Sequence, residues 1–185
     1  MRSKKAAMEM SVGTIVTIVL LMSVLVLGIF LVQKVFSSGS NAIDSIDNQV
    51  QSEIAKLFAE DELNLAIYPD TRDITIRKGK TPKGFAFSVR NNDVESASFT
   101  YEVFAEPSFD FSERCGSSFS EAKANRFLLI DSGSFSLGPG AAMGLPELVK
   151  FDISEDAAPC TIPYKLQIDK EQVPYEGVTI FITVK

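Results

Sequence analysis

Phe99-Thr100-Tyr101-Glu102-Val103 places an aromatic or branched apolar side chain at every second residue, with a polar one between. Successive side chains of a β-strand point to opposite faces, so this is a strand with one face in a core and one in water. The same period of two recurs on both sides of it. Upstream, Phe85, Phe87 and Val89 alternate with Ala86, Ser88 and Arg90, and Ile74 and Ile76 with Thr75 and Arg77. Downstream come Val149, Phe151 and Ile153, then Tyr164, Leu166 and Ile168, then Val178, Ile180, Ile182 and Val184. Turn-forming groups separate these runs: Lys78-Gly79-Lys80-Thr81-Pro82, Asn91-Asn92-Asp93, Gly138-Pro139-Gly140 and Val173-Pro174-Tyr175-Glu176-Gly177.

Seven or eight half-buried antiparallel strands over 63–185 predict a mainly β domain, a sandwich of two sheets. Its size matches an immunoglobulin-like module, although the chain has no tryptophan to stand at the centre of an antibody-type core. Glu106 to Asn125 breaks the rhythm, with Pro107, Cys115, Gly116 and five serines around Phe109, Phe111 and Phe119. It reads as a long loop with a short helix at its end, and its phenylalanines are the candidate interaction residues.

Upstream of the sandwich the period changes. Ile43, Ile46, Val50, Ile54, Leu57 and Phe58 recur at spacings of three and four, which predicts one amphipathic helix within 37–62, after a hinge at Ser37-Ser38-Gly39-Ser40. The stripe needs a cover: its own domain, a second copy of the chain or a neighbouring subunit. Further upstream, Val12 to Val32 is 21 residues without a charge. As a helix it would be about 31 Å long, against a hydrocarbon core of about 30 Å. The expectation is a single transmembrane helix over 12–36, with the h-region of a cleaved signal peptide as the alternative. Arg2, Lys4 and Lys5 make 1–11 a basic flank, placing the N-terminus in the cytoplasm and 63–185 outside.

From Ser37 onward there are 14 Lys and Arg against 23 Asp and Glu, a balance of about −9. That disfavours nucleic acid and anionic lipid headgroups as partners of the outer part. Histidine is absent, which removes the commonest general base and the commonest imidazole ligand. Cys115 and Cys160 form an even pair on the outer side, expected to be a disulfide. Ser120-Glu121-Ala122-Lys123 fits the S-x-x-K pattern, but no companion element accompanies it. Gly138, Gly140 and Gly144 lack the lysine of a phosphate loop. Asp152, Glu155 and Asp156 have no EF-hand spacing, and Glu60-Asp61-Glu62 reads as a solvated face. No catalytic residue, cofactor site or metal site is expected, and no N-x-[ST] sequon occurs.

Lys4-Lys5-Ala6-Ala7, then Met8-Glu9-Met10 and Ser11-Val12-Gly13-Thr14-Ile15-Val16 leading into an apolar helix, resembles the archaeal class III signal of type IV pilins and archaellins. The resemblance implies cleavage after Ala6 or Ala7, a retained hydrophobic segment in a filament core and a β-rich head facing outward. Three readings follow. The first is a non-catalytic surface protein, single-pass in the membrane, contacting lipid through its helix and an extracellular protein or glycan through its sandwich. The second is a pilin-like subunit that self-assembles through the N-terminal helix. The third, a hydrolase, lacks a nucleophile–base pair.

Overall fold

The computed structural model describes residues 13–29, 48–60 and 63–185. The chain divides into two units, Met1–Gly39 and Ser40–Lys185. In the first, residues 13–29 form helix α1. Thr17 donates its hydroxyl to the Gly13 carbonyl and Ser23 to that of Val19, both at 2.8 Å. These bonds turn the polar side chains back onto the helix, and the surface they leave is apolar all round. Every large apolar side chain from Ile15 to Ile29 is exposed, by 49% at Ile29 to 68% at Met22 and Leu27.

The transmembrane helix expected over 12–36 is corrected by the structure. Among the described residues no helix is long and apolar enough to cross a membrane. The 17 residues of α1 are about 25 Å long, short of a hydrocarbon core of about 30 Å. The remaining positions of the expected span, 12 and 30–36, lie outside the described residues, as do Ala6, Ala7 and 37–47.

The second unit begins with helix α2 (Asn48–Glu60) and continues as eight strands. These are β1 (Leu65–Tyr68), β2 (Asp73–Ile76), β3 (Lys83–Val89), β4 (Ala97–Ala105), β5 (Ser132–Leu137), β6 (Glu147–Phe151), β7 (Thr161–Lys170) and β8 (Val173–Val184). One sheet has the order β1-β3-β6 and the other β2-β8-β7-β4-β5. All pairs are antiparallel except β2 with β8. The chain passes from the first sheet to the second between β1 and β2, where the Tyr68–Pro69 peptide is cis.

The two sheets face each other through the apolar positions of the period-two runs. Phe87 meets Tyr101 edge-on at 5.0 Å, and Phe151 meets Tyr164 edge-on at 4.8 Å. Phe85, Phe87, Phe99, Phe151, Ile162, Tyr164, Leu166, Ile168, Ile180 and Ile182 are fully buried. Each such side chain contributes roughly 1.5–3 kcal/mol relative to exposure. Two sheets of this strand order, packed on one core, make an immunoglobulin-like sandwich.

Of the covers open to the amphipathic helix, expected as a short helical stalk, its own domain is the one it takes. Val50, Ile54 and Phe58 are buried on the outer face of the three-stranded sheet, against Ala66 and Ala86. Those two alanines let the helix approach the sheet closely, and they explain why β3 is buried on both faces. Ile43 and Ile46 of the expected stripe lie outside the described residues. Gly84 completes the tight packing of β3 on β6, since a Cβ there would stand 1.7 Å from the Val149 carbonyl oxygen.

Candidate interaction surface

β4 starts at one end of the sandwich and finishes at the other, and the irregular segment begins where it finishes. Two short helices occupy that segment, α3 (Phe111–Cys115) and α4 (Glu121–Asn125). Asp110 caps α3 by accepting from the Glu113 backbone N–H at 3.0 Å. That bond, with help from the Ser112 hydroxyl, holds the Asp110 carboxyl below its usual range. Cys115 and Cys160 are joined, with Cα atoms 5.2 Å apart, so α3 is tied to the start of β7.

The three candidate phenylalanines turn toward the core. Phe109 meets Phe111 edge-on at 5.0 Å, Phe111 lies 6.3 Å from Phe119, and Phe119 lies 5.9 Å from Phe127. Phe111 is buried, while Phe109 and Phe119 are half-buried against the main core. Tyr164 reaches from β7 and donates its hydroxyl to the Ala124 carbonyl at 2.7 Å. Its burial pushes the phenol well above the ordinary tyrosine value. Asn125 accepts from the Ala105 N–H at 2.7 Å. The segment is therefore a structural clasp, held by a disulfide, an aromatic row and two buried-end hydrogen bonds.

What remains open beside the clasp is a groove of about 710 Å³, lined by Ser108, Phe109, Asp110, Glu113, Arg114, Thr161, Pro163 and Phe181. The Arg114 guanidinium lies 5.7 Å from the centre of the Phe109 ring, and Phe181 is 42% exposed. Aromatic edges beside one cation and two carboxylates suit contact with a polar partner. Ser120 and Lys123 lie outside this groove. Lys123 donates its ammonium to the Ser118 carbonyl, and only its backbone N–H reaches Ser120, at the carbonyl. The S-x-x-K residues are thus helix-start residues.

The other candidates have structural places too. Gly140 has φ +64 in a turn where the Ala141 N–H bonds the Gly138 carbonyl. Glu155 lies over Gly79, where a Cβ would stand 2.4 Å from its Cγ. Asp156 is held below the usual carboxylate range by the Ser154 hydroxyl, with the charges of Lys123 and Lys78 adding to it. Among the described residues no three Asp, Glu, Cys or His side chains are grouped to hold a metal ion.

At the opposite end of the sandwich the sequence showed turns at Asn91-Asn92-Asp93 and Gly138-Pro139-Gly140, and the structure joins them. There Asn91, fully buried, donates to the carbonyls of Glu95, Leu137 and Gly138 at 2.7, 3.3 and 3.0 Å. Around it stand the β3–β4, β5–β6 and β7–β8 connections, with Val94 90% and Leu145 65% exposed and Val173, the first residue of β8, 64% exposed. α2 ends toward this same end: Arg90, just past β3, donates to the Phe58 carbonyl at 3.3 Å and lies over its ring. The chain therefore enters β1 at the end opposite the clasp, where the Arg90 N–H donates to the Asn64 carbonyl and Leu65 stands opposite Val89.

No family model matches the chain, and no curated protein matches it. Among solved structures it is similar to the crystal structure of the periplasmic chaperone SfaE, at 14% identity and a TM-score of 0.37. The match covers 65% of this chain and 56% of that one, so the chain spans little more than half the chaperone's length.

Proposed function

We propose that the protein is a non-catalytic structural subunit acting outside the cytoplasm, in which α1 joins copies of the chain and the sandwich is the displayed head. The observation that carries this reading is the exposure of α1: an apolar helix with no polar face. In water such a helix must be covered, and copies of itself supply a cover of the same length and chemistry. The disulfide suits an oxidising compartment. The groove beside the clasp gives the head a mixed aromatic and charged surface for an extracellular protein or glycan.

The test is the mature N-terminus, by intact mass and terminal peptide sequencing of the native protein. A chain beginning at Ala7 or Met8 supports a processed, filament-forming subunit. A chain that retains Met1 through Lys5 overturns it. Exchanging residues 13–29 for an unrelated apolar helix gives the second readout, since assembly that survives the exchange does not depend on this helix.

A further inference from the structure

Four strand edges bound the two sheets, and three of them are blunted. β1 is four residues long, runs into Pro69 and is flanked by α2. β2 is also four residues, set between Arg72 at φ +58 and the exposed Arg77. β6 is bonded along its outer side: the Leu129 N–H donates to Lys150 at 3.0 Å, and the Asp152 N–H to Phe127 at 2.8 Å. Among the described residues the fourth edge, β5, has none of these devices. Ser132-Gly133-Ser134-Phe135-Ser136-Leu137 carries no charge, no proline and no bulge, and its three serines are exposed. Proteins protect such edges because their free N–H and C=O groups template pairing with another strand.

The register fixes which groups are free. The Val103 N–H donates to the Asp131 carbonyl at 2.6 Å, and Ser132 stands opposite Glu102. Backbone groups alternate sides along a strand, so Gly133, Phe135 and Leu137 turn theirs to β4. Ser132, Ser134 and Ser136 turn theirs outward.

The geometry points to β5 as a contact between two copies of this chain, paired antiparallel about a two-fold axis at Ser134, which would continue the five-stranded sheet across both heads. Three observations select a second copy. In this register Ser134 faces itself, Ser132 faces Ser136, and Asp131 faces Leu137, so no charge opposes a like charge. Phe135 falls opposite the partner's Gly133, large against small, and does so twice by symmetry. The chain from Ser37 onward carries about −9, so an uncharged strip is where two heads meet with least repulsion. The contact uses neither α1 nor the groove.

The test is register-specific cysteine crosslinking in the full chain, read on non-reducing gels. Ser134→Cys should give a crosslinked dimer, about tenfold more than Thr75→Cys in β2, because opposed residues on paired strands fall within disulfide reach. Ser132→Cys and Ser136→Cys should each link poorly alone and well when mixed. A Ser134→Cys yield no higher than that of Thr75→Cys overturns the proposal. So does equal linking of the two single variants with and without mixing, the pattern expected from association through α1 alone, which would leave the proposed function standing.

Discussion

Both ends of the sandwich carry apolar residues in their connecting segments, and the aromatic ones of the clasp are treated differently from the aliphatic ones opposite. At the clasp end Phe111, Phe119 and Phe127 are drawn into one row and covalently pinned. At the other end Val94 and Leu145 stay in water in the connections, and Val173 does so at the start of β8. The difference lies in length. The stretch from Ala105 to Ser132 is long enough to fold two helices and bury its own side chains, whereas a turn such as Glu171-Gln172 spends both residues at positive φ to reverse the chain. The long segment folds its rings onto the core and leaves only Leu129 and Ile130 half in water, at 52% each, whereas the connections at the other end leave Val94 and Leu145 exposed.

The sharpest way to break that contrast is to truncate the row. Phe111→Ala removes a ring that touches two others and should cost about 3–5 kcal/mol, read from denaturant midpoints. A cost below about 1 kcal/mol would show the row to be a surface feature. Removal of the crosslink by Cys115→Ala with Cys160→Ala should cost about 2–5 kcal/mol, with hydrogen exchange rising first in α3 and α4. Deletion of Pro107–Asn125 would take Phe111, Cys115 and the fully buried Ala124 out of the core together.

At the other end the strongest single hold is Asn91. Asn91→Ala leaves three carbonyls without their donor and should cost about 1–3 kcal/mol, with exchange rising in the β3–β4 and β5–β6 connections and not in the clasp. An effect that reached α3 would mean the two ends unfold together.

Alkaline pH probes the middle of the sandwich, between the two ends. Burial, then the charge and hydrogen bond of Glu147, push Tyr101 up from 10.0 to about 12. The folded state thus holds the neutral phenol more strongly than the unfolded chain does. The stability this supplies is complete below pH 10 and is lost as pH rises through about 12. Tyr101→Phe should flatten that part of the stability profile, and an unchanged slope would put the alkaline loss on other groups.

The sheets were legible because period-two alternation survives wherever one face of a strand is buried, as at Phe99-Tyr101-Val103 and Ile180-Ile182-Val184. β5 was not, since Ser132-Gly133-Ser134-Phe135-Ser136 has only one large apolar side chain to mark its inner face. β1 was missed because Leu65-Ala66-Ile67-Tyr68 has no polar residue to mark an alternation, as Thr75 does in the equally short β2. The stripe of α2 was visible, but its partner was not: nothing in Ala66 and Ala86 distinguishes an alanine under a helix from one facing water. In the clasp, composition pointed to Phe109, Phe111 and Phe119, of which Phe111 is buried in the core while Phe109 still lines the groove. Serines and glycine made the segment look like an open loop, while the rings among them have burial as their destination. The apolar run at the N-terminus was read correctly as helical, but its helix among the described residues is 13–29, shorter than a bilayer core requires.

The smallest effect expected is the most direct probe of whether the free end is built for contact. Val94 is 90% exposed and Val173 64%, so neither contributes much to the core. Val94→Ser with Val173→Ser should leave the unfolding midpoint within about 0.5 kcal/mol of the parent. A larger loss would mean these tips are covered in the folded state. If stability holds while association of the native assembly weakens, the tips are contact residues, and the head uses the end opposite its clasp. If both are unchanged, contact between heads must rely on the β5 edge or the groove beside α3. The double variant therefore separates contact at this end from pairing along β5, since Val173 lies at the start of β8, away from that edge.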